Sequence, residues 1–181
     1  MKRMGKVLVV IDMQNDFITG ALGTKEAVQI IDGVVNKIKA YQAAGSQILY
    51  TRDTHSENYL ATSEGKKLPV VHCIKGTSGW QLADPINEIV SDEAQIFDKE
   101  TFGCVALGEK IKEMYTQDQT LEVELIGVCT DICVISNALL IKAFVPEIEI
   151  TVDAACCAGV TPESHHTSLS AMKMCQINVI E

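Results

Sequence analysis

No stretch of this chain is both long and apolar enough to span a membrane. Its longest hydrophobic runs are strand-sized, against the ~18 residues that a crossing helix needs. Internal repeats, low-complexity tracts and Pro/Gly/Ser linkers are also missing, so the 181 residues are expected to form one domain with a substantial core. Basic clusters are absent as well: 15 Lys and Arg stand against 24 Asp and Glu, a formal charge of −9. Phosphate neutralisation wants clustered cations, so a nucleic-acid partner is not expected. The seven cysteines are odd in number and lack a disulfide rhythm, which favours reduced thiols. The apolar run Val7 to Ile11 is too short for a secretory core and Asp12 ends it at once. The expected compartment is the cytoplasm, with no membrane partner.

What is present is an alternation of short β-branched runs with longer segments of helical period, the signature of βαβ units. Strands are predicted at Val7 to Ile11, Gln47 to Thr51, Ala94 to Phe97, Leu121 to Val128, Ile148 to Val152 and Ile177 to Ile180. Ala27, Ile30, Ile31, Val34, Val35, Ile38 and Tyr41 recur at helical spacing, and Gly45 falls where a C-cap belongs. Further helices are predicted over about 105–116, 131–144 and 162–174, the last opening on Thr161-Pro162-Glu163. Runs such as Val-Leu-Val-Val-Ile suit parallel strands buried on both faces. The fold class that follows is α/β: a three-layer α/β/α sandwich on a six-stranded, mostly parallel sheet. The long stretch from Asp53 to Ile96 is predicted to be irregular and to wrap over the crevice.

Ligand sites in such sheets open at the carboxyl ends of strands. Asp12 follows the first strand, Asp53 and His55 the second, Lys99 the third, and Cys129 and Cys133 the fourth. With Thr130 or Asp131 as N-cap, Cys133 falls in a first helical turn, where free N–H groups and the helix dipole favour a thiolate. A depressed thiol pKa is therefore expected there. A thiolate needs a base and a nearby cation, and Asp12 and Lys99 are the candidates. Cys129 competes as nucleophile but precedes the helix, where the dipole helps less. Cys73, Cys104, Cys156, Cys157 and Cys175 lack a helix-start context.

Asp53 and His55, two apart in an extended segment, project to one face. With Glu64 and His72 downstream they offer two imidazoles and two carboxylates, a set that suits Zn²⁺, Mn²⁺ or Fe²⁺. Glu57 is an alternative to Glu64. His165 and His166, near the start of the last helix, are read as surface residues.

The segment Val10-Ile11-Asp12-Met13-Gln14-Asn15-Asp16-Phe17 resembles the opening motif of the nicotinamidase/isochorismatase-like cysteine hydrolases. Arg52-Asp53-Thr54-His55, His72-Cys73-Ile74-Lys75-Gly76-Thr77, Lys99-Glu100-Thr101-Phe102-Gly103 and Gly127 to Val134 match later motifs in order. The resemblance implies Cys133 as nucleophile, Asp12 as general base and Lys99 as third triad member. It also implies a cis peptide before Cys129, and an oxyanion hole from the backbone N–H groups of Cys129 and Cys133. A divalent metal would sit at Asp53, His55, Glu64 and His72 and bind a pyridine nitrogen. The expected partners are a small amide substrate and further copies of the chain, since relatives commonly assemble. Isochorismatases lack the metal ligands and typically the cysteine, so Cys133 and the Asp53/His55 pair point to the amidase side. Nicotinamidases generally carry an aromatic residue where this chain has Pro69. Phe17 and Trp80 are the remaining candidates for an aromatic wall, each weighed against a place in the core. The rival expectations are an amidase for a carbamoyl or ureido compound, an isochorismatase-like hydrolase, and a catalytically idle binding protein.

Overall fold

The computed structural model describes residues 5–181. Its strands are β1 (Lys6–Ile11), β2 (Gln47–Asp53), β3 (Gln95–Lys99), β4 (Glu122–Val128), β5 (Glu149–Ala158) and β6 (Asn178–Ile180). They form one six-stranded sheet in the order β3-β2-β1-β4-β5-β6. Every pairing is parallel, so "mostly parallel" understated the regularity. The helices are α1 (Asn15–Ile18), α2 (Lys25–Gln29), α3 (Ile31–Ala43), α4 (Ser63–Lys67), α5 (Asp84–Asn87), α6 (Val105–Gln117), α7 (Ile135–Phe144) and α8 (Pro162–Met174).

The alternation along β1 sorts the layers. Val7, Val9 and Ile11 face one core with Leu107 and Ile111 of α6, Ala138 and Ile141 of α7, and Leu169 and Met172 of α8. Leu8 and Val10 face the other core with Ala27 of α2, Val34 and Ile38 of α3, and Ile86 of α5. Covered on both sides, β1 is apolar from Val7 to Ile11, and Asp12 follows directly after its end. The capping signal at Thr161 also holds: its side chain and Ser164 cap each other reciprocally at the start of α8.

Three expectations need correction. The helix expected across Ala27 to Tyr41 is interrupted at Ile30, which ends α2 and caps α3. Helix α7 begins at Ile135 rather than 131, because Thr130–Val134 form a π-turn. Neither Thr130 nor Asp131 is the N-cap: Cys129 holds that position without a side-chain cap bond. The long crossover between β2 and β3 carries α4, α5 and a 3₁₀ turn at Tyr59–Ala61. It is stitched to the loop after β1 by bonds such as Asn15 N–H to the Gln81 carbonyl (2.9 Å) and Ala83 N–H to the Met13 carbonyl (2.8 Å).

The winding direction reverses between β1 and β4, so the switch-point crevice opens after Ile11 and Val128. Gly127 lets these two strands close up. Its φ is +118°, and a Cβ there would stand 2.1 Å from the Ile11 carbonyl oxygen. A second buried ionic group lies on β4 and β5 beneath α3. Lys37 Nζ is 2.6 Å from Glu124 Oε1 and 2.7 Å from Asp153 Oδ2, and Tyr41 donates to Glu124 Oε2 at 2.5 Å. Among the described residues no helix is long and apolar enough to cross a membrane.

Candidate active site

The strand ends bring Asp12, Lys99 and Cys133 into contact. Lys99 Nζ lies 2.7 Å from Asp12 Oδ2 and 3.4 Å from Cys133 Sγ. Asp12 adopts a left-handed backbone (φ +48°) and is wholly buried. Thr51 of β2 donates its hydroxyl to Asp12 Oδ1 at 2.6 Å, which fixes the carboxylate. Asp12 Oδ2 receives no aligned hydrogen bond despite the nearby ammonium. A buried acceptor left open is a place for a proton.

Burial pushes the Asp12 carboxyl above its ordinary value, against the pull of the Lys99 charge. Lys99 is itself buried, which disfavours its charge, yet Asp12, Cys133 and Asp53 hold it firmly protonated. The expected depression of the Cys133 thiol is wrong. Sγ is buried inside the π-turn, and desolvation with the Asp12 charge outweighs Lys99, so its pKa is raised. Cys129, half-buried, is likewise pushed up by burial, to about 12.

The π-turn is tied down on both flanks. Thr130 Oγ1 and His165 Nδ1 are 2.7 Å apart, and Asp131 accepts the Val160 N–H at 3.1 Å. His165 is thus half-buried rather than a surface residue; His166 is exposed. The Val128–Cys129 peptide is cis, as the resemblance implied.

Beside Asp12, Lys99 and Cys133 lies a second cluster. Asp53, His55 and His72 offer ligand atoms within 4.8 Å of one another. His72 Nδ1 is 2.7 Å from the Val70 carbonyl, which can only accept, so Nε2 keeps its lone pair for the cluster. His55 Nε2 stands 2.9 Å from Asp53 Oδ2 without an aligned bond and is a buried atom lacking a partner. Glu64 Oε1 is 3.7 Å from His55 Nε2 and 3.8 Å from His72 Nε2, while Glu57 is exposed. Burial alone would raise the Asp53 carboxyl, but the two imidazoles and Lys99 hold it below the usual carboxylate range. These donors, with their open lone pairs, fit a divalent cation.

Both clusters open into one cavity of about 550 Å³. Asp53, Glu64, His72, Cys129 and Cys133 line it, with apolar walls from Phe17, Leu22, Leu68, Phe102, Ile132 and Val160. Phe17 also meets the His72 ring edge-on, centroids 5.6 Å apart. Trp80 is not a wall. Its indole N–H donates to Thr54 Oγ1 at 2.9 Å, and the Arg52 guanidinium covers its ring at 3.7 Å.

The Isochorismatase domain model matches residues 6–181, nearly the whole chain. The chain belongs to the isochorismatase family. Among curated family members it is similar to an uncharacterized isochorismatase family protein of Bacillus subtilis, 30% identical over 175 residues, covering 92% of this chain and 93% of that one. A nicotinamidase of Saccharomyces cerevisiae is 25% identical and covers 97% and 99% of the two chains. Among solved structures, the pyrazinamidase of Pyrococcus horikoshii in complex with zinc superposes with a TM-score of 0.79 at 26% identity, covering 97% and 98%.

Some residues that build this family member's site escaped sequence reasoning. Thr51 orients Asp12, and Gln14 clamps Asp53: it accepts the Asp53 N–H at 2.7 Å and donates to the Asp53 carbonyl at 2.8 Å. Asn137 bonds to the Cys133 carbonyl. The available signal was polarity out of place: Thr51 in a buried strand, Gln14 beside apolar Met13, Asn137 in a mostly apolar helix.

Proposed function

We propose that the protein hydrolyses nicotinamide to nicotinate and ammonia through a thioester on Cys133. The observation that carries this reading is the contact of Asp12, Lys99 and Cys133 at the base of a cavity that a metal-ligand cluster also enters. The relatives named nicotinamidase and pyrazinamidase support the same chemistry. The apolar walls suit the faces of an aromatic ring.

Asp12 Oδ2 takes the Cys133 proton, and Sγ attacks the amide carbon. The N–H groups of Cys129 and Cys133 hold the oxyanion, and Lys99 balances the charge that moves between carboxylate and sulfur. When the C–N bond breaks, Asp12 returns the proton to nitrogen and ammonia leaves. Asp12 then takes a proton from water as its oxygen attacks the thioester, releasing the acid and restoring the thiol. Asp53, His55, Glu64 and His72 would hold Zn²⁺, Mn²⁺ or Fe²⁺, which when bound supplies a Lewis-acid anchor for a ring nitrogen. Phe17 would flank the ring.

The test is ammonia release from nicotinamide by the purified protein. Wild type is expected to turn over, and Cys133→Ala to lose roughly 10⁴-fold or more. Cys129→Ala, which keeps its backbone N–H, is expected to retain most activity. Chelation should abolish turnover and added Zn²⁺ or Mn²⁺ restore it. Release from carbamoyl or ureido compounds but not from nicotinamide would overturn the substrate assignment.

A further inference from the structure

Helix α7 reads Ile-Ser-Asn-Ala-Leu-Leu-Ile at its start, and its one amide, Asn137, has no exposed surface. Every polar atom of that side chain is used. Nδ2 donates to the Cys133 carbonyl at 2.8 Å and to the Phe102 carbonyl at 3.0 Å. Oδ1 accepts the Cys104 N–H at 2.9 Å. A single planar group thus fastens the turn that carries the nucleophile to the loop that leaves Lys99 and presents Phe102 to the cavity.

Among the described residues, the hydrogen bonds between that loop and α7 all run through the Asn137 side chain. Residues 100–103 are neither strand nor helix, and Phe102 is 45% exposed. Gly103 lies against α7 closely enough that a Cβ would meet Leu140 Cδ2 at 3.2 Å. The loop and α7 are thus joined by the amide bonds and by the contact of Gly103 with Leu140. Lys99 and Cys133 sit on opposite sides of this bridge, 3.4 Å apart.

We propose that Asn137 is a positioning residue for the hydrolysis, holding Cys133 Sγ against Lys99 and Asp12 by joining the nucleophile turn to the 100–104 loop. The proposal rests on the cysteine-hydrolase reading above. Misplacing reacting groups by about an ångström costs up to ~100-fold in rate, so the effect belongs in kcat more than in KM.

The variants separate the bonds. Asn137→Ala removes all three; Asn137→Ser keeps a hydroxyl that can donate to the carbonyl four residues back, that of Cys133. Each is compared with wild type by melting temperature, by kcat and KM for nicotinamide, and by the iodoacetamide rate at Cys133, mapped by mass spectrometry. The alkylation assay needs no substrate, so it decides the role of Asn137 even if nicotinamide proves not to be hydrolysed. Expected for Asn137→Ala are a fall in kcat of roughly 10- to 100-fold, a smaller change in KM, and slower Cys133 alkylation in a folded protein. Asn137→Ser should recover part of both rates. Mere loosening of the fold would instead expose the buried sulfur and speed its alkylation, and that result overturns the proposal. So does a folded Asn137→Ala variant with wild-type kcat and alkylation rate.

Discussion

Two buried ionic clusters share one sheet and are finished differently. Under α3, Glu124 gives one oxygen to Lys37 and the other to Tyr41, while Asp153 gives one to Lys37 and the other to the Ala155 N–H at 3.1 Å. Each of the four carboxylate oxygens has a partner. At the strand ends, Lys99 faces Asp12 and Asp53, yet Asp12 Oδ2 and His55 Nε2 are left without aligned bonds. A folding device saturates its polar groups because each open one costs free energy. A reactive site leaves open the atoms that must later take a proton or a ligand. The contrast is in the partners left over, since both clusters hold buried carboxylates and both pair one lysine with two of them.

This contrast can be broken by substitution, and the largest effect is expected in the reactive cluster. Asp12→Asn removes the base and should lower kcat/KM about 10³-fold in a folded protein. Wild-type kcat/KM should also show an acid limb above the ordinary aspartate value of 3.8. As the proposed base, Asp12 works only ionised, and burial raises its pKa, so activity is expected to fall as pH drops through that raised value. An acid limb at or below 3.8 would contradict the burial argument. Thr51→Val should cost roughly tenfold in kcat, the worth of a hydrogen bond to a charged group, with the melting temperature less affected.

The saturated cluster should respond in the opposite manner. Lys37→Met leaves Glu124 and Asp153 facing each other and should lower stability by about 2 kcal/mol in a denaturant melt, with kcat unchanged in the surviving fold. A matching loss of kcat would show that the clusters are coupled. The smallest effect is expected at His165, whose pKa burial lowers. Its folded form resists protonation more than its unfolded form, so its contribution is present above the ordinary histidine range and lost as pH falls through it. His165→Asn should flatten that slope between about pH 7 and 5.

Much of this was legible from residue order because burial writes itself into strands. Val-Leu-Val-Val-Ile can only be a strand covered on both faces, and the first polar residue after it, Asp12, had to lie at an open end. The rule that ligand sites open at the carboxyl ends of strands located Asp53, Lys99 and Cys129. Thr161-Pro162 announced α8 through local chemistry alone. What stayed hidden depended on distant segments. The π-turn at Thr130–Val134 has no periodicity of its own, so Cys133 was assigned the wrong turn. The direction of its thiol shift depends on how deeply neighbouring segments bury it, which spacing does not record. Trp80 was left between wall and core because nothing in its neighbourhood reveals that Arg52 covers it.

Gly127 has a consequence for redesign. At the seam where two strands nearly touch, even a methyl group would collide with the carbonyl opposite. The separation of acid and sulfur is thus set by backbone contact and has no adjustable spacer. An engineer seeking a new substrate has freedom in the segments that roof the chamber, and none at the joint beneath it.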